Sequence, residues 1–215
     1  MPKKTAKKTP AKKAKRAQRK LDLYAQHKDE YVAKREPAFL RVGPARYLGI
    51  TGKSKPGAEE FHRAAGALYS VAFTLKMACK AAGRDHVVTK LEGLWWLDDP
   101  EETIGPMTTW NWQLLLRVPP YVTESDVHDT IEALVKKGKD DEVRRVQLLD
   151  LRENACVQML HVGPYTDEHA SIARLREFTA RAGREFVGKH HEIYLSDPRR
   201  VKPDKLRTIL RYPVS

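Results

Sequence analysis

The stretch His190-His191-Glu192-Ile193-Tyr194-Leu195-Ser196-Asp197-Pro198 decides how the rest of the chain is read, because it carries the two-residue alternation of a β-strand with an acid at its middle. Successive side chains of a strand point to opposite faces, so Ile193 and Leu195 share one face while His190, Glu192 and Tyr194 share the other. The first face is apolar. The second sets a carboxylate between rings, and if that face is covered, an ionised Glu192 needs a partner, for which a bound cation or a reacting group is one candidate.

Outward from this strand, the preceding segment reads as a helix. Ile172, Leu175 and Phe178 or Thr179 form its buried stripe, Gly163-Pro164-Tyr165 turns the chain into it and Gly183 stops it. Before it lie two strands, about 146–152 and 155–162, with a turn at Glu153-Asn154. After it, residues 206–211 read as a last strand.

The same order appears earlier. Residues 39–52 read as one or two strands, and residues 58–82 as the longest helix, with Phe61, Ala65, Leu68, Ala72, Leu75 and Cys79 on one stripe. Strands at about 90–97 and 109–118 follow, joined by an acidic loop. Thr123-Glu124-Ser125-Asp126 has the polar residues that open a helix, which runs to Gly138. Residues 21–36 suit a short helical arm ended by Pro37.

The repeated strand-helix-strand-strand order predicts an α+β fold of two modules, about 37–118 and 146–214, joined by the helix at 123–138. Each module alone would expose one sheet face, so the two are expected to pack together with a cleft along their pseudo-twofold.

All four tryptophans fall in the first module. Trp95 and Trp96 must point to opposite faces, while Trp110 and Trp112 share one face with Leu114 and Leu116. Core filling and a pocket role both suit these rings, although a buried indole N–H needs a partner. Tyr69 and Phe73 lie beside the stripe of the long helix, where they widen the core contact or reach a cavity at its edge. His161, His190 and His191 invite a ligand or proton-carrier reading against the commoner structural one. Glu92 reads equally as a second acid of the cleft or as a surface position.

Of the 40 basic residues, ten lie in the first twenty positions, which hold no acid, and the other 30 face 28 acidic residues, a balance of +2. The charge of +12 therefore describes residues 1–20. This segment cannot bury enough apolar surface to order itself, and Lys3, Lys4, Lys7, Lys8, Lys12, Lys13, Lys15 and Arg16 are candidates for salt-sensitive, sequence-independent contact with nucleic acid. No apolar run approaches a membrane span, and none follows the basic start as a signal peptide would need. Cys79 and Cys156 form no CxxC pair, no metal-ligand spacing is signalled, and a reduced cytoplasmic setting is expected. No cofactor is expected either.

One combination of segments resembles a known family. Glu60-Phe61, Ala67-Leu68-Tyr69-Ser70-Val71-Ala72-Phe73-Thr74-Leu75-Lys76, Leu91-Glu92-Gly93-Leu94-Trp95-Trp96, Trp110-Asn111-Trp112, His161-Val162-Gly163-Pro164-Tyr165 and the strand from His191 through Arg200 together resemble the gyrase-inhibitor-like (GyrI-like) small-molecule-binding domains in their stand-alone form. The resemblance covers residues 21–215. It implies a duplicated fold of antiparallel sheets whose central aromatic cleft binds flat, often cationic molecules against one buried glutamate, here Glu192. With Glu192, the candidate ligand-binding residues are Tyr194, Trp95, Trp96, Trp110, Trp112, Tyr69 and His161, and the expected role is sequestering or sensing, with the tryptophans that line the cleft left open. Some stand-alone relatives are described as hydrolases that open the cyclopropane ring of DNA-alkylating natural products, which would make Glu192 a general acid or base. The chain departs from the family pattern in having no helix-turn-helix ahead of the body and in its lysine-rich start.

Overall fold

A computed structural model describes residues 20–99 and 108–215. The lysine-rich segment singled out above therefore lies outside the described residues, apart from Lys20. In chain order the elements are α1 (Leu23–Gln26), α2 (Lys28–Tyr31), β1 (Ala38–Val42), β2 (Ala45–Ser54), α3 (Glu59–Ala81), β3 (Glu92–Trp96), β4 (Trp110–Val118), α4 (Glu124–Lys136), β5 (Gln147–Leu151), β6 (Asn154–Val162), α5 (Glu168–Arg181), β7 (His190–Tyr194) and β8 (Arg207–Pro213). Short 3₁₀ turns precede β5, α5 and β8.

Local chemistry sets most boundaries. Thr123 and Asp126 cap α4 reciprocally: the Thr123 hydroxyl accepts from the Asp126 N–H at 3.2 Å, and Asp126 Oδ2 accepts from the Thr123 N–H at 2.9 Å. Helices α3 and α5 each end before a glycine with positive φ, Gly83 at 77° and Gly183 at 69°. The stripe of α3 is buried at Leu68, Ala72, Leu75 and Cys79, over β2 and β4.

Among the described residues, the eight strands belong to one antiparallel sheet in the order β1-β6-β8-β7-β3-β4-β2-β5. The two modules appear as the mirrored triplets β6-β8-β7 and β3-β4-β2, which meet where β3 pairs with β7, Gly93 opposite Glu192. The outermost strands are exchanged: β1 leads the first module but pairs with β6 of the second, and β5 leads the second but pairs with β2 of the first. Val42 lies opposite Asn154 and Ala45 opposite Leu151, so one register continues across both corners.

This connection forces the sheet to curl. In a flat sheet β1 and β2 would lie six strand spacings apart, about 29 Å. The three Cα steps from Val42 to Ala45 span at most about 11 Å. The sheet therefore has an outer face, carrying α3, α4 and α5, and an inner face on which side chains from both halves converge.

The inner face holds a buried ionic network. The Tyr31 hydroxyl donates to Glu92 Oε1 at 2.8 Å, His191 lies 3.1 Å from Glu92 Oε2 and 2.9 Å from Glu153 Oε1, and Arg211 Nη1 donates to Glu153 Oε2 at 3.1 Å. Arg211 also donates to Gln158, and Arg117 donates to Glu30 at 2.6 Å. Burial opposes the charged forms of His191 and Glu153, but their mutual attraction, with Glu92 and Arg211, overcomes it. His191 rises to about 9 and Glu153 falls to about 2.

The arm closes this face, and its shape corrects the expectation of one helix over 21–36. Two single turns replace it because the carbonyls that would continue the helix are engaged elsewhere: that of Asp29 accepts from Gln158, that of Glu30 from Arg211, and that of Lys34 from the Leu160 N–H.

Candidate functional site

On β7 the alternation is as the sequence implies. Ile193 is buried on the inner face with Tyr31, Leu160 and Ile209, while His190, Glu192 and Tyr194 face outward between α3 and α5. Opposite Glu192 stands Gly93, and opposite His190 stands Trp95. A Cβ on residue 93 would lie 2.9 Å from Trp95 Nε1 and 3.0 Å from the Tyr194 hydroxyl, so only glycine leaves room for these two groups to meet.

They meet next to the acid. Trp95 Nε1 donates to the Tyr194 hydroxyl at 3.0 Å, and burial together with the neighbouring charge of Glu192 raises that phenol. His190 Nε2 lies 3.1 Å from Glu192 Oε1, with the two side chains only 11% and 12% exposed. A second carboxyl completes the group. Glu168, the first residue of α5, is 5% exposed and brings a carboxyl oxygen within 4.8 Å of Glu192.

Burial pushes the Glu168 carboxyl far above its usual range, and the neighbouring charge of Glu192 adds to the effect. Two carboxylates this close cannot both ionise unaided, so Glu168 holds the proton. Among the described residues, Glu168 Oε1 and His190 Nδ1 are buried without a hydrogen-bond partner. One atom from each of Glu168, His190 and Glu192 lies within 4.8 Å of the other two.

Rings flank this polar centre on both sides. Phe61 of α3 stacks on Trp95 at 5.6 Å and 19°, and Tyr165 meets Tyr194 edge-on at 5.9 Å. On the other side Tyr212 lies 4.7 Å from the His190 ring and stacks on Phe186 at 4.0 Å and 9°. Tyr165 is 40% exposed and forms the rim. Burial raises the phenols of Tyr165, to about 12, and of Tyr194 and Tyr212, which stay neutral donors at ordinary pH.

The other residues singled out in the sequence are more scattered. Trp112 shares the outer face but is fully buried, with Nε1 donating to Ser54 Oγ at 2.9 Å, and it backs Phe61 edge-on. Trp110 is half-buried against the α3 core. Trp96 points to the opposite face from Trp95, where Lys189 Nζ sits 3.3 Å above its ring. Tyr69 is half-buried on α3 and stacks on the exposed Phe73. His161 spends both ring nitrogens locally, one 3.0 Å from Ser171 Oγ and the other 3.2 Å from the Pro164 carbonyl. Glu92 and His191 belong to the inner-face network and reach neither the cleft nor solvent.

Glu168 is the residue that sequence reading missed. It precedes Ile172 by four and Leu175 by seven, which puts an acid in phase with a buried stripe, and that phase was the available signal.

A family profile described as the GyrI-like small molecule binding domain matches residues 35–215. The chain belongs to this family. Among solved structures, an uncharacterized conserved protein from Listeria innocua is 38% identical to this GyrI-like domain, covers 91% of this chain and 100% of its own, and superposes with a TM-score of 0.85. A protein from Listeria innocua described as a hydrolase is also 38% identical with the same coverage and a TM-score of 0.81. The EcmrR C-terminal domain, 11% identical, covers 84% of this chain and 97% of its own with a TM-score of 0.56, and shares the fold. No curated protein matches the chain. The molecule is thus a small-molecule-binding domain of α+β architecture, and among its described residues no helix is long and apolar enough to cross a membrane.

Proposed function

We propose that this GyrI-like domain binds flat hydrophobic cations over β3 and β7, with Glu192 as the counter-charge. The observation that carries the reading is the Glu192 carboxylate, with His190 Nε2 3.1 Å from its Oε1, between the Phe61–Trp95 and Phe186–Tyr212 ring pairs. Ring faces attract cations and stack on planar molecules, while one charge imposes little shape selection, so the site suits sequestering or sensing a class of compounds. The test is a titration with a planar aromatic cation such as ethidium, followed by tryptophan fluorescence. Glu192→Gln is expected to weaken binding by roughly 10- to 100-fold, the value of a hydrogen bond or contact to a charged group. Equal affinity for the variant, or for a neutral compound of the same shape, would overturn the reading.

A second reading, hydrolysis, is favoured by the placement of a neutral acid beside an ionised one and by the 38% identical Listeria innocua protein described as a hydrolase. Glu192 would take a proton from water as its oxygen attacks a strained cyclopropane carbon. The ring C–C bond breaks, its electron pair moves into a conjugated carbonyl, and Glu168 protonates the oxygen formed. Mixing the protein with a cyclopropane-bearing electrophile and following the ring-opened product separates the two readings: catalytic turnover that Glu192→Gln abolishes supports hydrolysis, and stoichiometric binding without product excludes it.

For Lys3, Lys4, Lys7, Lys8, Lys12, Lys13, Lys15 and Arg16, the charge concentration supports non-specific nucleic-acid contact. Removing residues 1–20 is then expected to abolish salt-sensitive DNA binding. Two free, buried cysteines are compatible with a reducing cytoplasmic setting.

A further inference from the structure

The geometry points to a binding site for one first-row divalent transition-metal ion formed by Glu168, His190 and Glu192. This goes beyond organic-cation binding, and it does not depend on it. The three side chains converge from two elements, the start of α5 and the strand β7, and one candidate ligand atom of each lies within 4.8 Å of the other two. Around a metal with bonds of about 2.0–2.2 Å, neighbouring ligand atoms sit roughly 3 Å apart. The His190 Nε2 to Glu192 Oε1 distance of 3.1 Å already has that spacing, and the Glu168 atom, within 4.8 Å of its partners, has to close to roughly 3 Å to complete it.

A second observation comes from polar atoms that the protein leaves unused. Glu168, 95% buried, keeps Oε1 without a hydrogen-bond partner among the described residues, and so does His190 with Nδ1. Buried polar groups are almost always satisfied, and the idle Glu168 oxygen beside His190 Nε2 and Glu192 marks a place built for something more than its own side chains; His190 Nδ1 faces the other way and is not counted toward the site. A divalent ion turns the His190–Glu192 contact from a hydrogen bond into shared ligation and leaves one or more coordination positions open.

The donor set selects the class of ion. Two carboxylate oxygens and one imidazole nitrogen suit manganese, iron, cobalt or zinc better than calcium or magnesium, which favour oxygen alone. A supporting group stands alongside, since Trp95 Nε1 fixes the Tyr194 hydroxyl on the same face of β7 as Glu192. The sequence concealed the set, because an H-x-E pair 22 residues after a lone glutamate matches no ligand spacing.

The experiment uses the full chain freed of metal by chelation, titrated with Co2+ by visible absorption and with Zn2+ and Mn2+ by calorimetry. Stoichiometric 1:1 binding tighter than about 10 μM is expected. Glu168→Gln and His190→Gln are each expected to weaken binding by about 100-fold, whereas His62→Gln and His169→Gln, at exposed positions, leave it unchanged. In the unaltered protein, Mn2+ should broaden the His190 imidazole signals in NMR, a readout that needs no variant to fold. Absence of 1:1 binding, or binding that survives Glu168→Gln and broadens other histidines instead, overturns the inference. Ethidium binding measured in the presence of chelator stands or falls separately.

Discussion

Replacing Glu168 by Gln should stabilise the protein at neutral pH, against the usual outcome of altering a buried polar residue. In the folded chain Glu168 stays protonated because of its burial and the adjacent Glu192 charge. In the unfolded chain a glutamate ionises near pH 4.3. Folding at pH 7 therefore takes up a proton, and a carboxyl whose folded pKa is raised weakens stability progressively as pH climbs above the unfolded value. Each pH unit costs 1.36 kcal/mol, so between about pH 4.3 and 7 the accumulated penalty is on the order of 3 kcal/mol. Glutamine does not titrate. The Glu168→Gln chain is expected to match the wild type near pH 4 and to exceed it by about 2–3 kcal/mol at pH 7, after an allowance for imperfect amide fit. Urea unfolding at intervals from pH 4 to 8, with chelator present, measures the difference directly, and titrations common to both proteins cancel in it. A difference that does not change with pH, or a variant weaker than the wild type at pH 7 by as much as at pH 4, would show that Glu168 is ionised and refute the neutral-acid reading.

On the inner face, Glu153→Gln should cost about 3–5 kcal/mol by leaving His191 and Arg211 undercompensated. Because the folded pKa of Glu153 is depressed to about 2, its contribution is present above pH 4.5 and should vanish as pH falls through 2; that of His191, raised to about 9, is complete below pH 6.5 and lost as pH rises through 9. Thermal melts of both chains across that range check the two limbs. Gly93→Ala should break the Trp95–Tyr194 hydrogen bond by pushing a methyl group into it, with up to about tenfold loss of ethidium affinity in a chain that stays folded by circular dichroism.

How much of this was legible in the sequence follows from how local each signal is. The alternation along β7 and the stripe of α3 are set by neighbours two to four residues apart, and Glu192, Leu68 and Leu75 fall where the period puts them. The reciprocal cap at Thr123 and Asp126 is equally local. The exchange of β1 and β5 left no such trace, since Val42 and its partner Asn154 are 112 positions apart. Glu92 and His191 looked like surface or cleft residues because their partners Tyr31, Glu153 and Arg211 arrive from distant elements. Glu168 hid for the opposite reason: an acid at the start of a helix is ordinary, and only its phase with Ile172 and Leu175 sets it apart.

The exchanged strands also govern how the molecule can be assembled. A chain emerging from the ribosome and halted at Val118 would hold β1 with no edge to join, because β6 does not yet exist. The final strand, β8, must then slot between β6 and β7 rather than add at a border. Completion waits for the C-terminus, over long loop closures that make such topologies slow to form. Splitting the gene between the two repeats would yield fragments that need each other, not a pair of autonomous halves.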